Sequence, residues 1–181
     1  MRKVQERFGE RISVERRAFP LRPEPDPTVT FKGTYREAAW QRAAAMSAPD
    51  GVTFTMWARD DYPTWSLPAL EAARCAALQG NEVFERVHLL LFEAFFTKGI
   101  NIGNREEVIE VVRGAGVDMD RFLKEYDAGS ARPQVLKEFD EAHSTYQITA
   151  IPTVIFNGGR KVVGATSLEE YLKILNALGV S

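Results

Sequence analysis

The chain reads as a mixed α/β protein with few strands and many helices. Three observations predict this. Near the C-terminus, Asn157-Gly158 separates two short apolar runs, Thr153-Val154-Ile155-Phe156 and Arg160 to Val163. Asn-Gly in that place is a strong hairpin signal, because both central residues must take positive φ. A capped helix follows at once: Ser167 and Glu170 form a capping box, and Gly179 stands where a left-handed residue ends a helix. Between Thr34 and Tyr146, helix caps recur in step with apolar stripes of helical period.

From the N-terminus, Met1 to Phe8 is a helical segment stopped by Gly9. Ile12 to Phe19 alternates enough to be a strand, with Ile12 and Val14 on one face. Pro20, Pro23, Pro25 and Pro27 forbid regular structure, so Pro20 to Gly33 is an extended connector. Thr34 and Glu37 box a helix running to about Ser47, and Pro49-Asp50-Gly51 is a turn. Val52 to Trp65 is irregular and aromatic. Pro68 lies in the first turn of the next helix, where its missing N–H costs nothing, and that helix reaches Leu78. Glu82 to Lys98 carries a stripe of Val83, Phe84, Val87, Leu90, Leu91, Ala94 and Phe95, stopped by Gly99. Asn104 with Glu107 starts another helix, Asp118 caps a short one to Ala128, and Pro133 opens the last of the block.

The chain has 181 residues, an apolar share of 45%, a charged share of 27% and a net charge of −2. This supports a real core and gives no broad electrostatic pull on nucleic acid. The basic residues Arg11, Arg16, Arg17 and Arg22 alternate with Glu10, Glu15 and Glu24, as on a solvated strand face. No apolar run is long enough to span a bilayer, and the N-terminal residues lack a leader-like apolar core, so a cytoplasmic address and no membrane partner are expected.

The one cysteine excludes an internal disulfide framework. Cys75, among alanines, is expected to be a small buried hydrophobe rather than a reactive thiol. His88 and His143 are expected to be packing residues. Without partner cysteines or His-x-x-x-His spacing they make no metal site. Gly114-Ala115-Gly116 follows no strand and is no dinucleotide loop, and no cofactor is expected. Trp40, Phe54, Trp57, Tyr62 and Trp65 either line a cleft between two halves of the molecule or seal those halves together.

Arg17-Ala18-Phe19-Pro20-Leu21-Arg22-Pro23, Ser66 to Ala73 with Gln79-Gly80, Phe92 to Ile102, Gly116-Val117-Asp118 with Phe122, and Ile151-Pro152 before the hairpin occur in an order that resembles the DsbA-like oxidoreductases of the FrnE type. The resemblance runs from about Lys3 to Leu178. It implies a thioredoxin-like core, residues 1–33 and 148–181, holding an all-helical insertion, residues 34–147. It also implies a cis Ile151-Pro152 bond. In that family a strand delivers Cys-x-x-Cys to the N-terminus of the first helix, where the helix end lowers a thiolate pKa. This chain opens in what looks like the second half of that helix. It holds no such pair, so the first core strand and the catalytic residues are missing from it. The positions that carry over are Ala150, Ile151 and Pro152, whose backbone would receive a thiol or disulfide peptide or protein substrate like an added strand.

Two other readings of the same resemblance stand beside this one. One is a glutathione-dependent isomerase of the hydroxychromene-carboxylate isomerase type. The other is a redox-inactive peptide-binding module. In the thioredoxin-like order, the absent strand would pair with Ile12–Phe19 on one side and Thr153–Phe156 on the other. The unpaired groups would cost on the order of 1–3 kcal/mol each. The expectation is that another chain fills the slot, as in a homodimer, that further residues of the molecule do so, or that the two flanking strands pair directly.

Overall fold

The computed structural model describes residues 1–157 and 159–180. The chain divides into two compact units, residues 1–19 with 140–181 and residues 20–139.

The smaller unit starts with α1 (Arg2–Phe8), whose Val4 and Phe8 are buried and which ends at Gly9 with φ 55°. Residues 12–19 then run extended. Their exposure alternates, with Ile12, Val14, Arg16 and Ala18 turned inward and the residues between them turned out. This is the period of a strand, but the segment has no ladder partner among the described residues, so the expected strand is not formed. The physical reason is that a strand is held by a neighbour's N–H and C=O ladder, and the ladder among the described residues joins only β1 and β2. Direct pairing of this segment with the hairpin does not occur either.

The hairpin is β1 (Thr153–Phe156) and β2 (Arg160–Val163), antiparallel with Thr153 opposite Val163 and Phe156 opposite Arg160. Asn157 takes φ 47°, as the turn requires, and Gly158 lies outside the described residues. In α8 (Leu168–Ala177) the Ser167 side chain accepts from the Glu170 N–H at 3.2 Å. Val4, Phe8, Tyr171 and Leu175 form this unit's core, with Ile12, Val154 and Phe156 packed against it.

The larger unit contains α2 (Tyr35–Ser47), α3 (Leu67–Ala77), α4 (Asn81–Phe96), α5 (Arg105–Arg113), α6 (Met119–Asp127) and the first turns of α7 (Arg132–Ser144). The predicted caps hold most of these ends. Thr34 accepts from the Arg36 N–H, Asn104 from the Glu106 and Glu107 N–H groups, and Asp118 from the Arg121 N–H. Glu37 completes its box one residue early, accepting from the Gly33 N–H at 3.1 Å. The main core lies where α3 to α6 meet, built on Ala72, Ala76, Val87, Val108, Val112 and Phe122.

The division between units differs from the one drawn on the sequence. Pro20–Gly33 belongs with the helices, because Val29 and Phe31 pack with Trp40, Trp57 and Tyr62 in a second core of that unit. The last turn of α7 belongs with the smaller unit, where Arg17 pairs with Glu141 and Phe19 stacks on His143 at 5.1 Å. Trp40, Phe54, Trp57 and Tyr62 are an internal core of the helical unit, with Trp40 edge-on to Phe31, Phe54 and Phe95 at centroid separations of 5.1–5.6 Å.

Candidate functional site

The loop from α7 to β1 carries Ala150, Ile151 and Pro152. It leaves the helix through Gln147, a non-glycine residue in the left-handed region at φ 50°. This conformation costs an ordinary side chain about 1–2 kcal/mol. It is held by the Ile148 N–H, which donates to the Ala142 carbonyl at 2.8 Å, and it turns the chain away from the helix axis. The Ile151-Pro152 bond is cis.

Two hydrogen bonds fix the loop. The Thr153 hydroxyl donates to the Ala150 carbonyl at 2.6 Å, and the Gly164 N–H donates to the Pro152 carbonyl at 2.7 Å. Among the described residues, the N–H and C=O of Ile151 have no partner. Ile151 is 42% exposed, an unusual setting for isoleucine, and Ala150 and Pro152 are exposed too. The three positions are thus brought together as one presented stretch. Ile151 is the residue whose donor and acceptor are both available.

Cys75 takes no part in this loop. It lies on α3 in the other unit, 1% exposed within the main core. Burial pushes its thiol up to about 12, and the Glu125 and Glu71 carboxylates add to that effect. A thiol so far above neutrality is neither nucleophile nor ligand. His88 stacks on Phe84 at 5.6 Å and meets Phe92 edge-on at 4.8 Å on one face of α4. Among the described residues no cluster of His, Cys, Asp and Glu could hold a metal ion. No helix among them is long and apolar enough to cross a membrane.

Sequence reasoning missed two buried carboxylates, Glu71 and Glu138, at 4% and 8% exposure. Glu71 accepts from Arg132 Nε at 2.6 Å, and Glu138 pairs with Arg74. The available signal was Glu71 itself, a charged residue set among alanines on an apolar helix face. Its partner is too distant in sequence to be read from spacing.

The comparisons with known proteins agree with this fold. Residues 1–176 match the model of the DSBA-like thioredoxin domain. The thiol:disulfide interchange protein DsbA of Pseudomonas aeruginosa is 31% identical over 103 residues, covering 56% of this chain and 48% of that protein. Its counterpart in Azotobacter vinelandii is 33% identical over 81 residues, covering 45% of this chain and 37% of that protein. The chain thus spans less than half the length of these relatives. An uncharacterised protein of Bacillus subtilis, YwbO, is 26% identical over 93% of this chain and 83% of its own length. Among solved structures, that of a probable DsbA oxidoreductase from Streptomyces coelicolor superposes with a TM-score of 0.78. It shares 19% identity, covering 99% of this chain and 82% of its own, and so speaks for the fold. A helical block carried between the two parts of a small α/β unit and a family match over almost the whole chain lead to one assignment: the chain belongs to the DSBA-like thioredoxin domain family.

Proposed function

We propose that this chain is the substrate-binding part of a FrnE-type DsbA-like oxidoreductase. Its Ala150-Ile151-Pro152 loop receives an extended thiol- or disulfide-bearing polypeptide. The observation that carries the reading is the pair of available backbone groups on an exposed Ile151, flanked by two carbonyls that are already bonded. An extended peptide would exchange N–H···O=C bonds with Ile151 as a strand does at a sheet edge. The chemistry of the lineage is attack of a thiolate on a disulfide through a mixed disulfide, which a second thiol resolves. This polypeptide has one cysteine, and it is buried, so it binds without turning over. The non-catalytic, peptide-binding reading describes the same polypeptide acting alone. A cytoplasmic address belongs to the proposal.

Backbone-amide NMR titration with unfolded insulin B chain tests the reading. The expected result is saturable shifts centred on Ile151 and Thr153, with insulin reduction no faster than the blank. Shifts elsewhere with none at Ile151, or disulfide reduction abolished by Cys75→Ser, would overturn it. Calorimetry with glutathione tests the isomerase-like alternative, which requires saturable heat.

A further inference from the structure

Within the helical unit, the starts of α3 and α7 and the end of α6 flank an open pocket of about 620 Å³. This is in the size range of small-molecule sites. Trp65, Pro68 and Leu136 supply its apolar wall. The indole is fixed by its Nε1–H, which donates to the Pro23 carbonyl at 3.1 Å. Two arginines line the pocket as well. Arg132 lies over the Trp65 ring at 5.7 Å, and Arg105 lies over the Tyr126 ring at 4.6 Å. Tyr126 is itself held by its hydroxyl, which donates to the Pro68 carbonyl at 2.9 Å.

Each guanidinium is anchored by one carboxylate and keeps donors to spare. Arg132 places Nε on Glu71 Oε1 at 2.6 Å and Nη2 on Glu71 Oε2 at 3.4 Å. Arg105 places Nη2 on Asp127. A guanidinium has five N–H donors. The Nη1 groups of both arginines and Nε of Arg105 have no acceptor among the described residues. With side-chain exposures of 39% and 47%, Arg105 and Arg132 hold these donors within reach of an entering ligand. Glu71 is 5% exposed in its side chain and already faces Arg132, so it does not offer itself to a ligand cation.

We propose that this pocket binds a small monocarboxylate with an apolar or aromatic body. The carboxylate accepts from the spare guanidinium donors, and the body lies against Trp65, Pro68 and Leu136. Planar, bidentate recognition of a carboxylate is what a guanidinium fork does best. Glu71 and Asp127 already balance the two arginine charges, so the guanidinium forks rather than a net positive charge hold the carboxylate, and a dianion is disfavoured. The proposal is independent of the peptide loop, which lies in the other unit.

Calorimetry on the full chain with 3-phenylpropionate tests it, beside 3-phenylpropanamide and inorganic phosphate. The carboxylate should bind saturably, with the amide at least about tenfold weaker, the equivalent of about 1.4 kcal/mol. Arg105→Gln should weaken the carboxylate severalfold and leave the amide unchanged. Leu136→Trp, which fills the cavity from a position 40% exposed, should abolish binding of both while the melting temperature holds. Equal affinity for amide and carboxylate, tighter binding of phosphate, absence of saturable heat, or undiminished binding by Leu136→Trp would each overturn the proposal.

Discussion

Replacing Arg74 by methionine should cost about 3 kcal/mol of stability. Arg74 and Glu138 have side-chain exposures of 12% and 10%, so both charges are largely withdrawn from water. With the guanidinium gone, Glu138 keeps the Gln134 Nε2 donor at 3.0 Å. Breaking such a pair by removing one partner costs about 3–5 kcal/mol, and the remaining amide places this case at the low end. The loss includes the contact of Arg74 with the Phe84 ring, 5.6 Å from its centroid. For a chain of this size the melting temperature should fall by roughly 6–12 °C, at about 2–4 °C per kcal/mol. The double variant Arg74→Met/Glu138→Leu should return to within about 1 kcal/mol of the parent, since neither desolvation cost then remains. Urea unfolding followed by circular dichroism reads both. A single-variant loss below about 1 kcal/mol, or a double variant no better than the single, would refute the reasoning.

Stability should fall as pH rises from about 9 toward about 12, because the Cys75 thiol is pushed from 9.0 to about 12 by burial. The unfolded chain releases that proton first, so ionisation favours unfolding at up to about 1.4 kcal/mol per pH unit, and nothing is lost below the unfolded pKa. Tyr126, Tyr62 and Tyr171, raised mainly by burial, act in the same direction, and a urea midpoint that climbed with pH in that range would contradict all four. Native Cys75 should resist Ellman's reagent at neutral pH and react fully in denaturant, whereas fast labelling of the folded protein would show that the thiol is accessible. Gly103→Ala would bring a Cβ to 2.9 Å from the Trp65 carbonyl oxygen, which is backbone and cannot swing aside, so a loss of about 1–3 kcal/mol is expected in the same unfolding assay.

What the sequence made legible was local. Asn104, Asp118 and Ser167 each accept from backbone N–H groups within three residues, so their helices could be read from short windows. The hairpin announced itself through its turn. The segment from Ile12 to Ala18 shows where such reading stops. Its alternation of buried and exposed side chains was visible, but whether a ladder forms depends on what lies alongside. The proline-rich connector misled for a related reason. Its prolines exclude regular structure, yet Val29 and Phe31 between them still bury in an aromatic core. At the candidate loop, the proline and its neighbours came from resemblance. The bond from the Thr153 hydroxyl to the Ala150 carbonyl, which leaves Ile151 as the presenting residue, required coordinates. The Glu71–Arg132 pair joins residues on separate helices and left no spacing to find.

The two edges of the hairpin differ in how well they resist unwanted partners. β2 bears Arg160 and Lys161, charges of the kind that discourage edge-to-edge association of sheets. β1 is Thr-Val-Ile-Phe, without a charge or an internal proline, and its side away from β2 has no ladder partner among the described residues. Such a run has the composition of a segment that stacks on copies of itself once exposed. Exposure of that edge would make these four residues a point of self-association. Whatever shields that edge serves as a guard against aggregation as well as a structural neighbour.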